Sequence, residues 1–228
     1  MSNCAIITAA GSGRRMKSSK KKQFIEIGDK PILLHTLDTF FKSDFFKKII
    51  ITCPVNDIDF LNELLFNFYD YDPKIISIIA GGKTRQDSVY NALQVLGEET
   101  EIVSIHDSVR PFVKISEINH SIDLAKEHGA VTLAHRVKNT IKEVKDSKVI
   151  KTLDRELLWE IYTPQTFAFK QIKEAHQKAR EKNLSVRDDA ELIEKMGLPV
   201  YILEGSASNI KITDPFDLIL AELLIKEV

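Results

Sequence analysis

Two hydrophobic patterns alternate along the chain. Cys4–Ala9, Lys48–Cys53, Ile75–Ile79, Ile102–His106 and Val131–Ala134 are short, apolar runs rich in Ile and Val. Runs of that length and composition predict strands. Where every position is apolar, as at Ile49, Ile50 and Ile51, both faces of the strand are covered. The segments between them have helical spacing. Pro31–Phe41 places Ile32, Leu33, Thr36, Leu37 and Phe40 on one face, with Pro at the first turn. Ile58–Phe68 repeats the spacing. A third helix follows Gly81-Gly82 and runs to about Leu96, and a fourth is expected from a Ser116 cap to Gly129. Strand–helix alternation predicts an α/β fold, a mostly parallel twisted sheet flanked by helices in the Rossmann-like manner. Ligands in such folds bind beyond the C-terminal ends of the strands. The loops Ala10–Lys22, Gly81–Ser88 and Asp107–Arg110 are therefore the places to look for chemistry.

One stretch departs from the alternation. From Asn139 to Leu153 residues alternate at period two, turn at Lys145–Lys148 and return, which predicts a β-hairpin. A lone hairpin is marginally stable, so it should pack against something, a second subunit being one candidate. The division expected is a single domain over 1–228, with residues 138–160 forming a protruding β-arm used for dimerisation.

At 228 residues the chain is long enough for one sizeable core. With 43% hydrophobic and 29% charged residues it is neither disordered nor a membrane protein. A net charge of −1 argues against nucleic acid as the main partner while leaving room for a local phosphate site. Cys4 and Cys53 have no C-x-x-C or zinc spacing, so they are expected as reduced, buried thiols. Met1 leads directly into an apolar strand without a signal-peptide pattern, and no run reaches the roughly 18 apolar residues of a membrane span. No membrane partner is expected, and the compartment is read as cytoplasmic, or a plastid-type stroma.

The first candidate site is A-A-G-S-G-R-R-M, Ala9–Met16. Gly11 and Gly13 let a phosphate approach backbone amides. No G-K-[ST] follows, so this is not a Walker loop, and Met16 stands where a dinucleotide fingerprint needs its third Gly. Arg14, Arg15, Lys17, Lys20, Lys21 and Lys22 follow, and glycines with clustered cations suit a triphosphate. Lys20 and Lys21 read as solvated. The second site is G-G-K-T-R-Q-D-S-V, Gly81–Val89, where Ser88 and loop amides suit a base edge, and Arg85 with Asp87 suits a local pair. The third is H-D-S-V-R-P, His106–Pro111. Asp107 at a strand end suits a magnesium ion, directly or through water. Arg110 suits a pair with Asp107 or a substrate phosphate, and His106 reads as a packed, hydrogen-bonded residue. Later, T-P-Q-T-F (Thr163–Phe167) reads as a Pro-stiffened turn, Asp188 and Asp189 as helix caps, Asn209–Thr213 as a short strand carrying Lys211, and T-D-P-F-D-L as the start of a terminal helix.

Taken together these blocks, with K-K-Q-F at Lys21–Phe24, resemble the 2-C-methyl-D-erythritol 4-phosphate cytidylyltransferase family over nearly the whole chain. The resemblance implies a nucleotidyltransferase fold and a Mg²⁺-dependent transfer of CMP from CTP to a polyol phosphate, with release of pyrophosphate. It implies that Arg15, Lys22, Arg155 and Lys211 are catalytic. Nucleotide contacts would come from Ala9, Ala10, Gly11, Gly13, Gly81, Gly82, Ser88 and Asp107, and polyol-phosphate contacts from Asp107, Arg110, Thr140, Arg155, Thr163 and Lys211. It also implies a homodimer in which the arm carries Thr140 and Arg155 into the neighbouring site.

This chain departs from the family in two places: Lys21 stands where Pro usually precedes the catalytic lysine, and Lys83 follows Gly82 where an acidic residue is common. Ribitol 5-phosphate cytidylyltransferases share several blocks, but A-A-G-S-G-R-R-M and the Leu158-Trp159 pair before T-P-Q favour the methylerythritol enzyme. Rival readings are a nicotinamide-dependent reductase, opposed by the missing third glycine; a glycosyltransferase, opposed by the lack of a D-x-D directly at a strand end; and a non-catalytic CTP-binding protein.

Overall fold

The computed structural model describes residues 2–11, 16, 20–69 and 75–227, with the side chains of 75 and 76 left aside. Its centre is a seven-stranded sheet in the order β11-β7-β10-β6-β1-β4-β5. The strands are β1 (Ser2–Thr8), β4 (Phe46–Cys53), β5 (Ile75–Ala80), β6 (Thr100–Asp107), β7 (Ala130–Arg136), β10 (Trp159–Ala168) and β11 (Tyr201–Glu204). β1 pairs in parallel with β4 and β6, β4 with β5, and β7 with β11. Only β10 runs antiparallel, between β6 and β7.

Alternate side chains of each strand feed opposite cores, as period-two geometry requires. Ala5, Ile7, Ile49 and Ile51 point into one layer. There they meet Leu33, Leu34, Leu37 and Phe40 of α1 (Ile32–Phe41), Leu61 and Leu65 of α2 (Ile58–Phe68), and Ile118 and Ile122 of α4 (Ile115–His128). Cys4, Ile6, Ile50, Val103 and Ile105 point into the other. That side is closed by Val89, Ala92 and Leu93 of α3 (Arg85–Gln94), Phe169 and Ile172 of α5 (Phe169–Glu181), and Leu192 and Ile193 of α6 (Ala190–Lys195). Ile49, Ile50 and Ile51 are each fully buried, as their continuous apolar run predicts. A smaller cluster joins Val109, Phe112 and Ile212 to Ile27, Ile32 and Ala221. The last of these lies on the terminal helix α7 (Pro215–Leu224), and Ile27 lies on β2 (Glu26–Ile27), which pairs with β3 (Lys30–Pro31).

The predicted hairpin is present as β8 (Lys142–Lys145) and β9 (Lys148–Thr152), antiparallel and exposed at every residue. Asp146 and Ser147 form its two-residue turn, both with positive φ (49° and 61°), the geometry that matches strand twist in a tight hairpin. Both cysteines are buried and free. Burial pushes their thiols up, to about 12 for Cys4 and about 11 for Cys53.

The structure corrects several local readings. α4 begins at Ile115, so Ser116 lies inside the first turn. The orphan Lys114 N–H is satisfied by Glu117 Oε2 at 3.0 Å. T-P-Q-T-F is not a turn but part of β10, where a cis Thr163–Pro164 bond accompanies a register shift against β7 between Ile161 and Gln165. Asn209–Thr213 is not a strand. It runs beside the cleft as irregular chain, with Ile212 N–H donating to Val109 O at 2.9 Å. The terminal helix is capped as its T-D-P-F-D-L start predicts: Asp214 accepts from the Phe216 and Asp217 amides, and Pro215 occupies the first turn.

Candidate active site

Four neighbouring strand ends gather at one cleft. Thr8 of β1 lies opposite Asp107 of β6 and Thr52 of β4, and Cys53 lies opposite Ala80 of β5. The chains leaving these ends are tied to one another. Ala9 N–H donates to Thr52 O (2.8 Å), Gly81 N–H to Cys53 O (2.7 Å) and Ser108 N–H to Thr8 O (3.2 Å). The space beyond them measures about 420 Å³ and is lined by Ala10, Gly11, Lys22, Gln23, Gly82, Lys83, Thr84, Arg85, Ser88, Asp107 and Lys211, among others. Among the described residues, four cationic side chains, Lys22, Lys83, Arg85 and Lys211, line it, against the single carboxylate of Asp107. A chain with a net charge of −1 therefore concentrates positive charge at this point, the arrangement that attracts and holds a polyanion.

The glycine pair is required by crowding. A Cβ on Gly82 would lie 2.2 Å from Asp87 Cβ, and one on Gly81 would lie 2.5 Å from Ala10 Cβ. Gly82 N–H donates to Ser88 Oγ (3.0 Å), and Ser88 Oγ donates to Thr84 O (2.9 Å), so the serine pins the loop while facing the cleft. Thr84 and Asp87 form a reciprocal capping box at the start of α3. Asp87 is therefore a cap and not the local partner of Arg85 that its spacing suggests.

Asp107 is the electrostatic centre. Its Oδ1 accepts from Arg85 Nε (3.0 Å) and Thr8 Oγ1 (3.2 Å), its Oδ2 lies 2.7 Å from Lys211 Nζ, and Arg110 Nε stands 3.7 Å away. Burial alone pushes its carboxyl up, but Arg85, Lys211 and Arg110 outweigh that and hold it well below the usual carboxylate range. Arg85 continues inward, donating from Nη1 to Asp189 Oδ2 (2.5 Å), and Asp189 Oδ1 meets His176 Nε2 (3.0 Å). Asp189 is 1% exposed. Burial raises its carboxyl, and Arg85 and His176 together bring it below the ordinary value. Of the two predicted caps, Asp188 does cap, accepting from Glu191 N–H at 2.9 Å, whereas Asp189 is a buried ion-pair partner. Gln165 Oε1, which accepts from the Asp189 amide (2.9 Å), holds that segment in place.

His106 is packed as expected. It is fully buried, with Nε2 on Arg110 O (3.1 Å) and Nδ1 on Thr163 Oγ1 (3.1 Å), and burial lowers it to about 3. It is a neutral structural imidazole behind the cleft.

The structure thus brings Ala10, Gly11, Lys22, Gly82, Ser88, Asp107 and Lys211 together on the cleft wall. Ala9 and Gly81 stand just behind: Ala9 O accepts from Gln23 Nε2 (2.8 Å), and Gly81 packs on Ala10 and Ser88. Arg110 and Thr163 are buried behind Asp107. Arg110 Nη1 donates to Asn209 O (2.8 Å), and Thr163 Oγ1 accepts from the Asp107 amide (3.1 Å). Thr140 and Arg155 are exposed at the base of the arm and are not among the residues lining the cleft of their own chain. Arg155 Nη1 donates to Lys138 O there (3.2 Å). Gly13 and Arg15 lie outside the described residues. Lys21, read as solvated, instead makes an ion pair with Asp57. The supporting roles of Arg85 and Asp189 are what local spacing does not reveal, because the partners of Arg85 lie 22 and 104 residues away.

Comparison with known proteins agrees with this geometry. The sequence model of the 2-C-methyl-D-erythritol 4-phosphate cytidylyltransferases matches residues 3–227. The enzyme of that name from Clostridioides difficile is 44% identical over 220 residues, covering 96% of this chain and 92% of the relative. The one from Halalkalibacterium halodurans is 42% identical over 227 residues, covering 100% and 98%. Among solved structures, the 4-diphosphocytidyl-2C-methyl-D-erythritol synthase of Anaerococcus prevotii superposes with a TM-score of 0.87 at 34% identity, covering 98% of this chain and 95% of that one. The cytidylyltransferase of Thermus thermophilus gives 0.79 at 30%, covering 99% and 100%. These matches favour the methylerythritol reading over the ribitol and non-catalytic alternatives. With its mostly parallel sheet, its cationic cleft and this family match over nearly every residue, the chain belongs to the 2-C-methyl-D-erythritol 4-phosphate cytidylyltransferase family of nucleotidyltransferases.

Proposed function

We propose that this enzyme transfers CMP from CTP to 2-C-methyl-D-erythritol 4-phosphate, forming 4-diphosphocytidyl-2-C-methyl-D-erythritol and pyrophosphate. The observation that carries the reading is the cleft beyond the parallel strand ends, which, among the described residues, four cations and one carboxylate line. A triphosphate and an incoming phosphate monoester repel each other, and fixed cations offset that repulsion where charge develops. The attacking oxygen belongs to the polyol phosphate, whose second pKa of about 6 leaves it dianionic at neutral pH. It forms a bond to the α-phosphorus of CTP as the bond to the β-phosphate oxygen breaks. No protein base is required, in keeping with a His106 that burial lowers to about 3.

Lys22, with Arg15, stabilises charge on the α-phosphate and the leaving pyrophosphate. Gly82 and Ser88 hold the cytosine as part of the loop wall, whose shape their own hydrogen bond fixes. Lys211, oriented by Asp107, meets the incoming phosphate. Among the described residues no group of three or more His, Cys, Asp or Glu could cage a metal. One carboxylate on a triphosphate-sized cleft does fit Mg²⁺ carried by the nucleotide, since that ion is held by one or two carboxylates plus phosphate oxygens. Asp107 would hold it, and the ion would neutralise triphosphate charge.

The reading extends to a homodimer joined through the arm. The arm exposes Val144, Val149, Ile150 and Leu157 by 55–77%, and Thr140 and Arg155 have no place in their own cleft. Both would serve the partner's site. The two buried free thiols suit a reducing compartment such as the cytoplasm. The decisive assay is Mg²⁺-dependent pyrophosphate release with each nucleoside triphosphate against methylerythritol 4-phosphate and ribitol 5-phosphate. Release confined to CTP with the methylerythritol substrate is the expected result. Release with ribitol phosphate alone, or none despite CTP binding, would overturn it.

A further inference from the structure

Lys22 enters the cleft from a loop held differently on its two sides. On the C-terminal side the anchors are neutral. Gln23 is 1% exposed and donates from Nε2 to Ala9 O (2.8 Å), and Phe24 packs edge-on to Phe60 with ring centroids 5.0 Å apart. On the N-terminal side the anchor is ionic. Lys21 Nζ donates to Oδ1 and Oδ2 of Asp57 at 2.6 and 2.5 Å. Asp57 belongs to the turn Val55–Asp57 that directly follows β4, and its own N–H is bonded to Pro54 O (2.8 Å). Its side chain is only 14% exposed, so the carboxylate is largely shielded from solvent. Lys22 Cε lies beside Gly11, at ordinary van der Waals distance (3.9 Å) from where a Cβ there would stand. The backbone at Lys21 has φ −63° and ψ 138°, inside the range that a proline ring imposes.

We propose that the Lys21–Asp57 ion pair is a positioning device for Lys22: it fixes the chain entering the catalytic lysine by charge, where a proline at the same φ would fix it covalently. The inference rests on the reading of Lys22 as the phosphate-contacting group. A bidentate pair with one largely buried partner restrains the loop more firmly than two solvated ends would, though each such contact is modest. Loss of that restraint acts on catalysis through the geometry of the reacting groups, and the pair, being partly exposed, weakens as salt screens it.

The test compares Lys21→Ala, Asp57→Ala, the double variant, Lys21→Arg and Lys21→Pro, with Lys22→Ala as the control. Each alanine variant should lose kcat by about 3- to 10-fold, with KM for methylerythritol phosphate changed less than about 2-fold. The double variant should be no slower than the slower single, and Lys21→Arg and Lys21→Pro should stay within about 2-fold of the parent. The ratio of Lys21→Pro to parent kcat should rise between about 0.05 and 0.5 M KCl, because only the parent depends on a screened pair. A strictly structural role would lower the melting temperature without this kcat pattern. Unchanged kcat in both single variants beside a slow Lys22→Ala, additive losses in the double variant, or a Lys21→Pro as slow as Lys21→Ala would each overturn the proposal while leaving the assignment of Lys22 intact. An unimpaired Lys22→Ala would instead remove the reading on which it rests, and the proposal with it.

Discussion

Arg85→Met is the sharpest perturbation that the ion-pair network offers. The side chain keeps much of its packing bulk and loses its charge. In the parent, the guanidinium joins Asp107 at 3.0 Å to Asp189 at 2.5 Å, and both carboxylates are nearly solvent-free, at 5% and 1% exposure. Removing one partner of a buried pair leaves the other charge uncompensated, typically at about 3–5 kcal/mol. Two features reduce that here: Arg85 is itself 28% exposed on its side chain, and Asp107 keeps Lys211 and Arg110. About 2–4 kcal/mol remains, which for a chain of this size lowers the melting temperature by roughly 4–16 °C.

The sign of the pH dependence follows from the two carboxyls. Both are depressed in the folded parent, so their contribution is present above the unfolded carboxyl value near 3.9 and is lost as pH falls through the folded values. In Arg85→Met the burial of Asp189 is no longer offset by arginine, so that stabilisation is reduced or reversed. The gap between parent and variant should therefore be widest near pH 7 and close below about pH 4. Thermal melts across that range, checked against denaturant titrations, measure it. A gap under about 1 kcal/mol, or one that does not change with pH, would refute the reasoning.

Three other outcomes are expected. Lys22→Ala should lower kcat by at least ~100-fold in a pyrophosphate-release assay, the loss typical of one strong electrostatic contact; a near-normal rate would remove its role. Arg155→Ala should mainly raise KM for the polyol phosphate, and mixing it with Lys22→Ala subunits should restore activity, since each mixed dimer would assemble one intact site; a shift in the CTP KM alone would contradict this. Gly82→Ala would place a methyl group 2.2 Å from Asp87 Cβ. It should raise the CTP KM and cost about 1–3 kcal/mol through displacement of the α3 cap, read by CTP titration and melting.

Much of the site is legible in the sequence, because its parts sit where local pattern changes. Apolar runs ending at Ala9, Ile79 and His106 mark strand ends to within a residue, and in a parallel sheet those ends gather on one side. The A-A-G-S-G, G-G-K-T-R and H-D-S-V-R loops therefore had to be near one another. The hairpin was legible too, since period two and a turn at Lys145–Lys148 are local properties. T-P-Q-T-F was not, because Pro164 signals a turn while the pairing of β10 between β6 and β7 comes from distant chain.

What the sequence determined by itself is the alternating scaffold, the loops that carry glycine and charge, and, through the resemblance, the chemistry. Tertiary structure alone decided how the charges pair. Arg85 pairs with Asp107 and Asp189 rather than with the nearby Asp87, which the α3 cap takes, and Lys21 reaches Asp57, 36 residues on, rather than solvent. The physical reason is that capping, turns and strand burial act between neighbours in sequence. Ion pairs in a low-dielectric interior act between whatever groups the packed sheet and helices bring within about 3 Å, whatever their separation along the chain.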